Sequence, residues 1–292
     1  MLRSMTGYGR IEDAAGKKTF LLELKSLNGK QFDLNLKLSP LLKPYEFQIR
    51  NILSEQLLRG TVECTITLKH NGGTGAVALN KDMARAYFLS LREMADELGI
   101  HLSEYVLGAL LRLPDVVAPN TDALNDEDWK QFEPLLRAAV AEINQHRITE
   151  GAALEKDLVE RIEHIVAYQE KISELEPLRQ QRMREDLRKK LEEQVGKENY
   201  DANRMEQEMI YYIEKIDISE EQVRLRNHCE YFLNIIKEAE ISKGKKLGFV
   251  LQEIGREINT TGSKAYDAGI QKLVVLMKDE LEKAKEQVLN IL

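Results

Sequence analysis

The sequence predicts an α+β fold, with an N-terminal antiparallel sheet and packed helices, then a long helical hairpin, then a C-terminal all-helical domain. Three observations carry this. Apolar residues alternate with a period of two through the first seventy positions. Near Lys81 the period changes to about 3.6 and stays there. The 292 residues, 43% hydrophobic, suffice for a sizeable core in about two domains.

Taken in order, Phe20, Leu22 and Leu24 share one strand face, and Phe32, Leu34, Leu36 and Leu38 another. Asn28-Gly29 has the residues of a two-residue hairpin turn between the second and third strands, because both tolerate positive φ. Pro40 and Pro44 close this segment. A helix follows over Tyr45 to Arg59 with Gly60 as its cap, and Thr61 to Leu68 returns to strand spacing. The expected order is three strands, helix, strand. His70 to Gly75 is a loop, and its glycines lack the Lys-Ser or Lys-Thr that a phosphate-binding P-loop needs.

From Lys81 on the chain reads as helix, broken at Leu113-Pro114-Asp115 and near Pro119-Asn120. Trp129 to Val195 carries Leu, Ile and Val among dense opposite charges; Gly151 and Pro177 are the interruptions, and a helical hairpin is the expectation. Leu187, Leu191 and Val195 make a seam too short for a coiled coil of many heptads. Gly196 to Asn203 is the expected linker. The organisation by local character is 1–125, an α+β domain; 126–203, the hairpin; and 204–292, a helical domain carrying the candidate site.

The charge of −7 means that nucleic-acid binding must use local basic patches. Cys64 and Cys229 have neither disulfide-framework nor zinc-ribbon spacing. MLRSMTGYGR has no apolar signal core, and no later run of about 18 apolar residues offers a membrane span. A soluble protein of the reducing cytoplasm is expected.

The chemistry gathers in the last third. Ser219 with Gln222 has capping-box spacing, and Ile218 with Val223 that of a hydrophobic staple, so a helix starts there and Glu220 and Glu221 favour its dipole. Beside its apolar stripe of Leu225, Cys229, Phe232 and Ile236 run Glu221, Arg224 and His228. That trio can bind metal and phosphate, or form a salt-bridged edge. A second stripe, Leu247, Val250, Leu251, Ile254 and Ile258, is flanked by Glu253 and Glu257, with Gln252 and Arg256 opposite. This helix is expected to stop at an Asn259-to-Lys264 turn in which Gly262 goes left-handed and Lys264 supplies an amine. A solvated helix face explains part of the pattern. Phosphodiester hydrolysis uses all of it: carboxylates for a divalent ion, cations for developing charge, and an acid or base for the leaving oxygen. The run Arg179, Arg182, Arg184, Arg188, Lys189 and Lys190 reads as a solvated basic face among acids, with an RNA contact as the alternative.

MLRSMTGYGR, DISEEQVRLRNH, GKKLGFVLQEIGREINTTGSKAYD and ELEKAKEQVLNIL resemble the YicC/YloC family, in order and at both ends of the chain. The resemblance implies a cytoplasmic endoribonuclease that cuts single-stranded RNA, including small regulatory RNA, with a divalent metal (Mn2+ or Mg2+), and that assembles as a hexamer closing like a clamshell around RNA. The family's charged positions match Glu208, Asp217, Glu220, Glu221, Arg224 and His228, then Gln252, Glu253, Arg256, Glu257, Asn259, Gly262, Ser263, Lys264 and Asp267. Members often carry Asp, Asn and a His-Arg pair where this chain has Gly248, Tyr266 and Gly29-Lys30, which favours Glu253 and Glu257 over position 248 as metal carriers.

The combined expectation places Glu253 and Glu257, with Glu221 or Asp217, on the metal. His228 or Lys264 handles the proton, and Arg224 and Arg256 grip phosphate. Arg3 and Arg10, with Lys25 and Lys37, add non-specific backbone contacts. The rivals are a non-catalytic RNA-binding or scaffolding oligomer and a small-molecule phosphoesterase with a deep pocket. At 6% aromatic residues, base stacking is not the main mode of binding under any of them.

Overall fold

A computed structural model describes residues 1–15, 18–69, 78–103, 105–118, 126–195 and 202–292. The expected His70 to Gly75 loop, the Pro119-Asn120 break and most of the 196–203 linker lie outside these, as do the side chains of Leu187, Leu191 and Val195. The fold is α+β. Whereas local character changes near residues 125 and 203, compactness groups Tyr8–Asn144 in one unit and Met1–Gly7 with Gln145–Leu292 in another.

In the first unit the expected order of three strands, helix, strand is present: β1 (Gly7–Ala15), β2 (Lys18–Leu27), β3 (Phe32–Leu38), α1 (Glu46–Leu57) and β4 (Gly60–Lys69). Their order in the sheet is β1-β2-β4-β3. β4 runs antiparallel to β2 and parallel to β3, with Cys64 opposite both Leu24 and Leu36. The sheet is therefore mixed, not wholly antiparallel, and Asn28-Gly29 is not a hairpin turn. β4 separates β2 from β3 because Val62, Cys64 and Ile66 are fully apolar on the core face and take the central place, while β3, half-buried, takes the edge. The β3–α1–β4 crossover supplies the parallel pair. Gly29 serves close approach: its carbonyl accepts Arg59 Nε at 2.9 Å, and a Cβ there would lie 2.9 Å from the Thr61 nitrogen. Likewise Gly60 opens β4 at φ 109, and the turn after α1 falls on Leu58 at φ 55.

A two-residue ladder of β5 (Ala78–Leu79) and β6 (Val117–Ala118), unforeseen from sequence, brackets α2 (Lys81–Leu98) and α3 (Val106–Leu110). Asn80 caps α2 by accepting the Met83 amide at 3.1 Å, and Gly99 ends it at φ 67.

The expected hairpin over 129–195 is instead one continuous helix, α4 (Asp126–Val195). Neither interruption breaks it. Gly151 is no turn; a Cβ on it would lie 2.3 Å from the Leu2 carbonyl oxygen, so the glycine lets the N-terminal segment cross the helix. Pro177 removes one amide from the ladder without ending it. One apolar stripe persists across both units: Phe132, Leu136, Val140 and Ile143 complete the core of the first, and Leu158, Ile162, Ile165 and Ile172 join that of the second. A stripe of unchanged phase favours one helix over two.

The second unit adds α5 (Ala202–Ile216), α6 (Ser219–Lys237), α7 (Gly244–Ala265) and α8 (Ala268–Val288). Its chain ends close on each other: Met5 N donates to Asn290 O at 2.7 Å, and Leu292 N to Arg3 O at 3.0 Å. The MLRSMTGYGR stretch is thus built into the fold at both sides of the unit boundary, Thr6 Oγ1 meeting Glu150 at 2.8 Å in one unit and Gly9 lying against Ala139 in the other.

Candidate functional site

α6 and α7 bury their apolar stripes against each other, and the first turn of α6 lies beside the last turn of α7, so the two helices are antiparallel. The join is an ion pair. Lys264 Nζ stands 2.7 Å from Glu221 Oε1 and also donates to the Asp217 carbonyl at 3.0 Å. Glu221 is only 5% exposed, and its second oxygen, Oε2, is buried with no hydrogen-bond partner. A buried carboxylate oxygen without a donor is costly and open to a ligand.

Just before α6, the expected capping box and staple are absent. Asp217 does the capping, its Oδ1 accepting the Ser219 amide at 2.9 Å and the Ser219 hydroxyl. Val223 is 60% exposed and cannot reach Ile218 as a staple. Asp217 wins because it sits one residue outside the helix, where a short carboxylate reaches the first free amides. The Ser219 hydroxyl, then the backbone amides and Lys264, hold the Asp217 carboxyl below its usual range against the opposing effect of burial.

α7 does not stop at Asn259. It continues to Ala265 and ends at Tyr266, which takes the left-handed position at φ 43. Gly262 stays helical, and a Cβ on it would lie 3.0 Å from Val274 Cγ1, so this glycine lets α8 pack closely. The short polar residues read as a turn are compatible with a helix once Thr260 and Ser263 hydroxyls bond back to carbonyls of the preceding turn.

Continuation of the helix sorts the candidates. Glu257, Thr261 and Lys264, at i, i+4 and i+7, share the face turned to α6. Glu257 is 4% exposed and has no hydrogen-bond or ion-pair partner among the described residues; Thr261 Oγ1 is also buried and unpartnered. On α6, Glu221, Leu225 and His228 have the same spacing. With Glu221 set against Lys264, the antiparallel register brings half-buried His228 level with Glu257, two turns or about 10 Å along the pair. Glu253 falls on the exposed face with Arg256, 3.9 Å away, and Arg224 is exposed beside Glu220. The structure therefore joins Asp217, Glu221 and Lys264 in direct contact, carries His228 and Glu257 two turns further along α6 and α7, and sets Glu253, Arg224 and Arg256 on exposed faces.

Arg3 is half-buried in the same unit; Arg10 belongs to the other unit, exposed, 3.9 Å from both Glu12 and Glu23. Among the described residues no three His, Cys, Asp or Glu side chains gather into a metal-holding group. Helical side chains lean toward their own N-terminus, so Glu221 and Glu257 diverge from each other. Glu257 and Glu221 Oε2 are the two donors with open coordination. Either alone suits an ion of the magnesium kind, held by one carboxylate with water and phosphate oxygens completing its shell.

Two contributors escaped the sequence reading. Thr261 was visible as the i+4 neighbour of Glu257. Arg179 was not: read as solvated, it is 4% exposed, with Nη1 2.7 Å from the Ala265 carbonyl and Nη2 2.9 Å from that of Ile216. It places a cation at the C-terminal ends of both α5 and α7, where the helix dipoles favour one.

Residues 2–156 match the family described as Endoribonuclease YicC-like, N-terminal region, and residues 172–292 match Endoribonuclease YicC-like, C-terminal. The chain is 32% identical over 296 residues to a protein of Clostridioides difficile named probable endoribonuclease YicC, covering 100% of both chains. It is 30% identical over 295 residues to a protein of the same name from Haemophilus influenzae, again over 100% of each.

Proposed function

The chain belongs to the YicC-like endoribonuclease family and is an RNA-cleaving hydrolase, and from that premise we propose that it cuts single-stranded RNA, small regulatory RNA included, at the α6–α7 face with the help of a divalent cation. The observation that carries the assignment is Glu257, a carboxylate residue only 4% exposed with no hydrogen bond or ion pair among the described residues, level with His228 and two turns along α7 from the Glu221–Lys264 pair.

Glu257 would hold Mg2+ or Mn2+ with water and phosphate oxygens, and the ion when bound supplies charge neutralisation at the phosphate oxygens. His228, level with Glu257, moves the proton. Lys264 is committed to Glu221 and the Asp217 carbonyl, so its part is to fix the carboxylate and lend positive charge. Arg224 and Arg256, exposed at the rim, grip the RNA backbone, and Glu253 orients Arg256 from 3.9 Å. Arg3 and Arg10 serve the same non-specific grip from their own units.

The protein acts as a homo-oligomer, a hexamer by the family's pattern. Leu89, Leu98, Ile100, Tyr105 and Leu107 on and around α2 and α3 are exposed, an apolar surface that a subunit contact would cover. A reducing cytoplasm suits Cys64 and Cys229, which are free and buried, their thiols pushed by burial up to about 12. No helix among the described residues is long and apolar enough to cross a membrane.

The test is incubation of the purified protein with end-labelled single-stranded RNA in Mn2+, Mg2+ or EDTA, beside Glu257→Gln. Cleavage lost in EDTA and in the variant is expected. Full cleavage by Glu257→Gln removes the assignment, and full cleavage in EDTA removes the metal. A monomer mass by light scattering at micromolar concentration removes the oligomer.

A further inference from the structure

α7 ends in an unusual way. The residue closing a helix in the left-handed conformation is commonly glycine or asparagine, because a Cβ there crowds the following carbonyl. Here it is Tyr266, at φ 43 and ψ 29. A bulky side chain at positive φ is strained, and such a position raises the question of what the side chain does. Burial is not the compensation: Tyr266 is 72% exposed, and among the described residues it has no hydrogen bond and no ring contact.

Its position is defined on every side. The preceding residue, Ala265, has its carbonyl held by Arg179, the same guanidinium that holds the Ile216 carbonyl at the end of α5. One residue earlier stands Lys264, bonded to Glu221 and to the Asp217 carbonyl. The following residue, Asp267, caps α8 through the Gly269 and Ile270 amides at 2.8 and 3.0 Å. The backbone on both sides of Tyr266 is thus fixed, and the ring projects from a rigid corner beside the Glu221–Lys264 pair. Exposed Lys215 and Tyr211 lie on the final turns of α5, whose end shares the Arg179 clamp.

We infer that Tyr266 is a stacking platform for an unpaired RNA base next to the phosphodiester to be cut. The inference rests on the α6–α7 face being the cleavage site. A flat, solvent-facing ring on a corner whose Arg179 clamp also holds the end of α5, one residue beyond exposed Lys215, suits a nucleobase, whose face stacks on the ring while a flanking phosphate meets that lysine. A single such ring on a rigid corner fixes the register of one nucleotide, which complements the non-specific grip of the rim arginines.

The test uses the full chain and single-stranded RNA oligonucleotides with and without abasic positions, and compares kcat, KM and thermal midpoint for wild type, Tyr266→Asn and Tyr266→Phe. Tyr266→Asn is expected to raise KM about tenfold with kcat within about twofold. Its midpoint should be unchanged or higher, because asparagine accepts the left-handed position. Tyr266→Phe should match wild type, and the Asn penalty should vanish on RNA that is abasic at the stacked position. A wild-type KM for Tyr266→Asn overturns the inference, as does a lowered midpoint accompanying lost activity, which makes the residue structural. The two readings separate cleanly: an inactive Glu257→Gln with an unaffected Tyr266→Asn defeats the stacking alone, whereas an active Glu257→Gln defeats the catalytic assignment.

Discussion

Lys264 Nζ, in the last turn of α7, lies 2.7 Å from Glu221 Oε1 in the first turn of α6, and this contact sets the register of every other pair along the two helices. A one-turn slip would separate His228 from the level of Glu257 and leave a buried carboxylate and a half-buried ammonium unpaired. The pair is partly shielded from water, the lysine side chain being 31% exposed and the glutamate side chain 7%. Glu221→Gln is therefore expected to lower stability to urea by about 1–3 kcal/mol, since it strands a half-buried ammonium. Lys264→Met should cost at least as much, because it strands the more deeply buried Glu221 carboxylate. Strict additivity of the two in a double-mutant cycle would show that the contact contributes nothing.

Glu257 and Glu253, one turn apart, should behave oppositely to expectations based on exposure. Glu257→Gln removes a buried charge that has no partner, so its thermal midpoint should stay level or rise. Its RNA cleavage should nonetheless fall by about a hundredfold or more. Glu253→Gln, on the exposed face, should shift stability by less than about 0.5 kcal/mol and cleavage by less than about tenfold. A large loss of stability in Glu257→Gln, measured by calorimetry, would make that carboxylate a structural group.

The strand and helix content was legible because period two and period 3.6 are properties of single segments. What was misread depended on partners distant in sequence. Asn28-Gly29 has the residues of a hairpin, but β4, arriving thirty positions later, takes the place beside β2. Gly151, Gly262 and Gly29 looked like turns and are points of close approach, to Leu2, Val274 and Thr61. For the site, residue types were readable and their faces were not. Once a turn was placed at Asn259, the phase linking Glu257 to Thr261 and Lys264 was lost, and Glu253 took the place that belongs to the buried face. Arg179 could not have been chosen from six neighbouring cations, since its three carbonyl partners lie 37, 85 and 86 residues away.

Asp217 gives a pH signature. Its folded carboxyl titrates below the ordinary value, chiefly through the Ser219 hydroxyl. A depressed folded value stabilises the protein above the unfolded pKa, about 3.9, and that contribution is lost as pH falls from there through the folded value. Ser219→Ala removes the largest cause. The Asp217 carboxyl carbon, followed by NMR titration, should then move up toward the ordinary value, and the acid-induced loss of stability attributable to this group should shrink. An unchanged titration would show that the backbone amides and Lys264 set it.

Arg179 joins α4 to the ends of α5 and α7, and its loss would leave buried polar groups unpaired. Its guanidinium pairs with Glu176 and reaches the carbonyls of Ile216, Lys264 and Ala265, at 2.9, 3.3 and 2.7 Å. Arg179→Met leaves buried carbonyls and a largely buried carboxylate without a donor, and is expected to destabilise by about 3–5 kcal/mol in urea unfolding. Arg179→Lys keeps the charge but cannot fork between two helix ends, so an intermediate loss should result. Arg182, exposed three residues on, is the control; Arg182→Met should fall within about 0.5 kcal/mol of wild type. Because Arg179 holds the backbone on which Lys264 and Asp217 sit, Arg179→Lys should also lose cleavage at temperatures where the protein remains folded, whereas Arg182→Met should not. Equal stability losses in the two methionine variants would mean that the fork contributes nothing.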